Sequence, residues 1–159
     1  MPRRWRRAAQ PSSGVPQSII MTVRPRKRLR STASGAKPLR FLVARTAELA
    51  PGQSRKFMLP IDGVEEECFV VNFRGEFYAY VNRCRHIPIP MDWVDNHFFE
   101  ESGRYLMCQT HGALYQPQTG ECLAGPAAAC GKYLFRIALE VEHDRIYARA
   151  PREPIERGI

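Results

Sequence analysis

Cys84-Arg85-His86 and Cys108-Gln109-Thr110-His111, the second followed by Gly112, decide how this 159-residue chain is read. Each stretch couples one thiol to one imidazole, and 21 residues separate His86 from Cys108. Fully extended, that spacer could reach roughly 70 Å. The two stretches therefore meet only if the chain folds back between them. The flanking sequence says that it does. Phe77-Tyr78-Ala79-Tyr80-Val81 reads as a strand before the first pair, and Tyr105-Leu106-Met107-Cys108 as a strand carrying the second. The Glu101-Ser102-Gly103 turn lies between them. Each pair then sits on a loop at a strand end, where a rigid scaffold presents ligands.

Working outward, the same alternation recurs. Phe41 to Arg45 is a strand, and Pro51-Gly52 a turn. Phe57, Leu59 and Ile61 alternate up to Asp62-Gly63, a strong hairpin signal. Glu65-Glu66-Glu67 reads as the solvated start of a strand that continues through Cys68 to Phe73, and Arg74-Gly75 turns it back. Tyr133, Phe135, Ile137, Leu139 and Val141 alternate as one long strand. His143-Asp144 reverses the chain into Arg145 to Arg149. No segment has a helical period. Short strands at regular spacing predict an all-β, antiparallel sandwich or small barrel.

Composition narrows the class. Apolar residues make up 44% and charged residues 25%, ordinary for a globular domain. No apolar run approaches the roughly 20 residues of a membrane-spanning helix. The net charge of +8 is unevenly placed. Residues 1–40 hold nine Arg and two Lys without any Asp or Glu, whereas the rest holds 13 basic and 16 acidic residues. The sequence is thus divided into a disordered basic tail (1–39), a folded domain (40–150) and a C-terminal tail (151–159). Within the first tail, Arg3-Arg4 and Arg6-Arg7 are similar to a twin-arginine export signal, but only the short apolar stretch 18–23 follows them. A transit peptide suits the Arg-rich composition, although the prolines oppose an amphipathic helix. Nucleic acid is not an expected partner, except through Arg26-Lys27-Arg28-Leu29-Arg30 in a salt-sensitive way. Met21 is a second candidate start. The expected compartment is the cytoplasm.

Two metal chemistries suit two Cys and two His. A structural zinc would draw all four onto one ion. A two-iron, two-sulfide cluster would take the thiolates on one iron and the imidazoles on the other. Zinc fingers usually pair like with like, whereas here each loop gives one Cys and one His, which suits a cluster clamped between two loops.

At this point the sequence resembles the Rieske [2Fe-2S] family, whose pattern is Cys-x-His, a spacer, then Cys-x-x-His. The likeness continues through His111-Gly112-Ala113-Leu114-Tyr115-Gln116-Pro117-Gln118-Thr119-Gly120-Glu121-Cys122-Leu123-Ala124-Gly125-Pro126, which looks like the family's second ligand loop, a hairpin and a Gly-Pro loop that covers the cluster. Residues 77–82 look like its approach strand. The resemblance spans about residues 40–149. It implies the Rieske fold, with a cluster-binding subdomain inserted into antiparallel sheets. By it, Cys84 and Cys108 hold an inner iron, and His86 and His111 an outer one. The respiratory branch ties its loops with a disulfide, whose positions here are Ile89 and Thr110. Its sulfide-bonding Ser corresponds to Ala113, and its cysteine-bonding Tyr to Tyr115. The pattern is that of ferredoxin-type members serving oxygenases. Arg83 and Arg85 are expected to add positive charge beside the cluster.

The resemblance implies a one-electron carrier between a reductase and a partner such as an oxygenase. A cluster-based redox sensor or a zinc-held interaction module is the competing class. Oxygenase chemistry in this chain would need a second iron on two His and a carboxylate, and only His97 and His143 remain. No glycine-rich nucleotide loop or acyl-transfer triad is present. Cys68 reads as a small core residue, and Cys122 and Cys130 as a pair that would bridge only after export. His97 and His143 read as loop and turn residues. Trp93 is expected to pack near the first ligand loop.

Overall fold

The computed structural model describes residues 39–127 and 129–151. The readings made for residues 1–38 and 152–159 lie outside these. Nine strands form: β1 (Arg40–Arg45), β2 (Ser54–Ile61), β3 (Val64–Phe73), β4 (Glu76–Val81), β5 (Leu106–Cys108), β6 (Ala113–Tyr115), β7 (Cys122–Ala124), β8 (Arg136–Glu142) and β9 (Arg145–Arg149). One 3₁₀ turn, Thr46–Glu48, follows β1. The antiparallel order β1-β9-β8-β4-β3-β2 makes a six-stranded sheet. Its edge strands β1 and β2 touch again, so the sheet curls into a nearly closed barrel. A second sheet, β5-β6-β7, carries the far end of the molecule. No helix among the described residues is long and apolar enough to cross a membrane.

Local chemistry explains the hairpins. Asp62 (φ 52°) and Gly63 (φ 73°) both take left-handed backbone, and Ile61 pairs with Val64 across them. Two such residues match the right-handed twist of the flanking strands. Arg74 (φ 57°) and Gly75 (φ 93°) repeat the device between Phe73 and Glu76.

Strand β3 sets the layering. From Cys68 to Phe73 every side chain is buried, because both faces of this strand are covered. Cys68 and Val70 point into the barrel with Leu59, Ile61, Ala79, Val81, Ile137 and Ile146. Phe69, Val71 and Phe73 point the other way, to a second core containing Tyr80, Phe98, Leu106, Tyr115, Cys84 and Cys108. The period of two in the sequence thus serves two cores at once. Phe69 stacks on Phe98 with ring centroids 3.9 Å apart, which fixes the second sheet against the barrel wall. Each such ring, fully buried, contributes about 1.5–3 kcal/mol.

Two sequence readings are corrected. The alternation from Tyr133 to Val141 does not form one strand. Tyr133 bridges Glu121 and the Leu134 N–H donates to Gly120 O (2.8 Å), so strand β8 starts only at Arg136. Nor is the acidic run wholly solvated. Glu66 pairs with Arg83 at 2.6 Å, and Glu67 accepts from Asn82 Nδ2 at 2.6 Å.

Candidate metal centre

Cys84 lies three residues beyond strand β4, and Cys108 is the last residue of β5. The first loop closes on itself, with Cys84 N–H donating to Ile89 O and Ile89 N–H to Ile87 O. The second closes through the Gly112 N–H to Cys108 O bond of 2.9 Å. Gly112 turns it in left-handed backbone, φ 69°.

Polar side chains hold these turns in place. Asn82 is buried. Its Nδ2 donates to Glu67 Oε1 and to Asp92 Oδ1 (2.7 Å), while its Oδ1 accepts from Met91 N–H (2.9 Å). Gln109 joins the two loops. Its N–H donates to Met91 O. Its Oε1 accepts from Trp93 N–H (2.7 Å) and Val94 N–H (3.2 Å), and its Nε2 bonds His97 O and Nδ1. Trp93 Nε1–H reaches Thr110 Oγ1 at 3.1 Å. Hydrogen bonds thus couple the two loops. Neither Asn82 nor Gln109 stood out in the sequence. A polar residue beside each ligand pair was the only available signal.

The four predicted ligands come together in like pairs. Cys84 and Cys108 are both buried and hydrogen-bond each other. The His86 and His111 rings lie 4.7 Å apart, nearly perpendicular, with His111 exposed and His86 half-buried. Backbone amides of His86 and Ile87 point at the Cys84 sulfur, and those of Thr110 and His111 at the Cys108 sulfur. The Cys108 thiol donating to it holds Cys84 down to about 5, with Tyr115 and the amides assisting against burial. Cys108 is pushed up, first by that same bond and then by burial. Metal is ligated by the thiolate form, and the donors around the Cys84 sulfur favour that form there.

Tyr115 completes the buried end. Its oxygen accepts from Arg85 N–H (3.1 Å), so its own O–H is directed to Cys84 Sγ, 3.3 Å away. Burial raises its pKa and keeps the proton on oxygen. Arg83 adds less charge than expected, since Glu66 neutralises it. Arg85 lays its guanidinium over the Phe135 ring, 4.1 Å from the centroid.

The donor set can be tested against the two metal chemistries. No three His, Cys, Asp or Glu side chains among the described residues converge as ligands of a single ion would. Sulfur gathers at one end and imidazole at the other, the polarity of a two-iron cluster. His86 Nδ1 is buried with no hydrogen-bond partner. An orphaned imidazole nitrogen costs free energy unless something unseen takes its lone pair. The residues fit a two-iron, two-sulfide group.

Other singled-out residues fall elsewhere. Cys68 is buried within the barrel, its thiol pushed up to about 12 by burial. His143 is an exposed turn residue, and His97 an exposed loop residue against Gln109. Trp93 is 73% exposed yet tied to the second loop.

A family model described as Rieske [2Fe-2S] domain matches residues 40–142. Among solved structures, the ferredoxin of carbazole 1,9a-dioxygenase from Nocardioides aromaticivorans IC177 is 23% identical with TM-score 0.52, covering 73% of this chain and 100% of that one. The terminal oxygenase of carbazole 1,9a-dioxygenase from Novosphingobium sp. KA1 is 16% identical with TM-score 0.54, over 76% of this chain. The reduced complex between oxygenase and ferredoxin in carbazole 1,9a-dioxygenase gives TM-score 0.57 at 16% identity, over 74% of this chain. The chain spans only 30% of the matched chain in that complex and 32% of the terminal oxygenase. At these identities the likeness is one of fold. Comparison with curated proteins gives no match.

Proposed function

This chain belongs to the Rieske [2Fe-2S] domain family, and on that premise we propose that it is a one-electron carrier whose cluster is held by Cys84, His86, Cys108 and His111. The domain is taken as residues 40–150. Cys84 and Cys108 ligate the inner iron, and His86 and His111 the outer. Bound there, the group would supply a one-electron redox couple. The rest is the work of the chain. Its buried thiols are surrounded by backbone N–H groups and the Tyr115 hydroxyl. Asn82 and Gln109 hold the two loops at fixed separation. The exposed His111 ring marks the edge at which an electron enters and leaves.

The carrying observation is the sorting of donors: two thiols in mutual contact inside, two imidazoles in contact at the surface. The proposed partners are a reductase as donor and an oxygenase as acceptor, met transiently. The excess of acidic over basic residues beyond residue 40 suits docking to basic patches. A ferredoxin and an oxygenase of one dioxygenase system among the neighbours support that pairing. The proposed setting is the cytoplasm, where thiols stay reduced.

The test is anaerobic purification with metal and sulfide analysis. Two iron and two acid-labile sulfide per chain, titrating with one electron, are expected. Zinc, or one iron without sulfide, would overturn the reading. His111→Cys should lower the potential sharply or lose the cluster. An unchanged spectrum in that variant would remove His111 from the outer iron.

A further inference from the structure

Two cysteines that electron transfer does not use bracket the loop after β7. Cys122 opens that strand and is 4% exposed, whereas Cys130 is exposed at the far end of the loop. The backbone draws these ends together. Cys122 N–H donates to Lys132 O at 2.8 Å, and Gly131 N–H donates to Cys122 O at 3.4 Å. Each thiol reaches a carbonyl of the loop between them. Cys122 Sγ lies 3.5 Å from Ala124 O, and Cys130 Sγ lies 3.7 Å from the next carbonyl, Gly125 O.

The loop they bracket rests on the ligand hairpin. A Cβ built on Gly125 would stand 2.6 Å from Ala113 Cα, and φ there is +127°. Only glycine allows so close an approach in that conformation. Ala113 lies two residues beyond His111. A tether on this loop therefore acts next to the outer end of the site.

We propose that Cys122 and Cys130 form a reversible disulfide that clamps the Gly125-Pro126 loop against the ligand hairpin. The oxidant is a low-molecular-weight disulfide. The exposed Cys130 thiolate attacks one sulfur of RSSR, forming a mixed disulfide and releasing RSH. Cys122, its proton lost to solvent or to a departing thiolate, then attacks the Cys130 sulfur and releases the second RSH. Two thiols are oxidised to one disulfide while RSSR is reduced to two RSH. Burial raises the pKa of Cys122, whereas Cys130 is exposed, so Cys130 reacts first. The reverse exchange, with excess RSH, reopens the loop. The bridge differs from a tie between the two ligand loops, because it joins the start and end of a third. Its formation is independent of the ligand assignment, and its effect on the cluster rests on that assignment.

The full-length holoprotein, purified anaerobically, is exposed to glutathione disulfide, acid-quenched, alkylated and peptide-mapped. The expected product links the Cys122 and Cys130 peptides, is two hydrogens lighter and has two fewer alkylated cysteines than a dithiothreitol-treated control. An iron chelator should bleach it several-fold more slowly than the unbridged form. Cys122→Ser should stop at a mixed disulfide on Cys130 and lose that protection. A stable glutathione adduct on wild-type Cys130, or two thiols still open to alkylation, would overturn the bridge. Equal bleaching of bridged and unbridged protein would overturn the clamp. Failure of the cluster reading shows separately, as missing iron and sulfide in a chain that still forms the link.

Discussion

The six-stranded sheet and the three-stranded end hold their shape by different means. In the first, strands of up to ten residues pair over an apolar interior, and two-residue turns join β2 to β3, β3 to β4 and β8 to β9. In the second, no strand exceeds three residues, and long loops depend on individual side chains. Asn82, Gln109 and Tyr115 each tie together segments far apart in sequence. The first region is stabilised by many interchangeable contacts. The second relies on a few bonds that have no substitutes, and on the group held between its loops. Function sits where order is cheapest to disturb, and the barrel is the support that makes this tolerable.

That contrast can be broken most severely at a proposed ligand. Cys108→Ser should abolish the cluster, read as loss of iron, sulfide and visible absorbance. Amides of residues 84–91 and 106–115 should then exchange faster with solvent, while those of β3 and β8 keep their protection. Global unfolding instead would show that the two regions are not separable. The converse change is Ile137→Ala, deep in the barrel. It should cost about 2–5 kcal/mol in denaturant titration and leave the reduction potential in place.

Tyr115→Phe sharpens the electronic side of the comparison. A donor to a ligating sulfur favours the reduced, more negative state, so its removal should lower the potential. A bond worth about 1.4 kcal/mol more in the reduced form corresponds to a shift of about 59 mV for one electron. Protein-film voltammetry of wild type and variant reads this directly. An unchanged potential would mean that the hydroxyl braces Arg85 rather than the sulfur.

The smallest effect concerns the turn leading into β5. Glu100 accepts from the N–H groups of Ser102, Arg104 and Tyr105 and from the Ser102 hydroxyl. Those bonds, the Ser102 side chain first, hold its carboxyl down to about 2. A depressed carboxyl contributes stability above its unfolded pKa of about 4.3, and that contribution disappears as pH falls through about 2. Glu100→Gln should therefore flatten the acid limb of a urea-midpoint profile across that window. An identical acid limb would show that the turn is held by backbone alone.

The same contrast explains what the sequence could tell. In the barrel, Asp62-Gly63, Arg74-Gly75 and the alternation through β2 to β4 are local signals, and they locate the strands. The strand expected from Tyr133 fails at its start because alternation cannot name a partner. Tyr133 and Leu134 satisfy the same pattern while pairing with Glu121 and Gly120. At the site, the proposed ligand types and spacings were legible since metal chemistry restricts them. The clamps were not, because Asn82 and Gln109 look like ordinary loop residues until partners 9 to 16 positions away are in view. Glu67, read as part of a solvated run, was hidden in the same way.

Pulsed electron paramagnetic resonance of the reduced protein, with ¹⁵N-labelled histidine, tests the central claim. Two strongly coupled histidine nitrogens are predicted in the wild-type chain, with the nitrogen of residue 111 absent from the coupled set in His111→Cys. A spectrum without coupled nitrogens, or wild-type coupling that persists in that variant, would contradict a cluster bound by sulfur at one end and by His86 and His111 at the other.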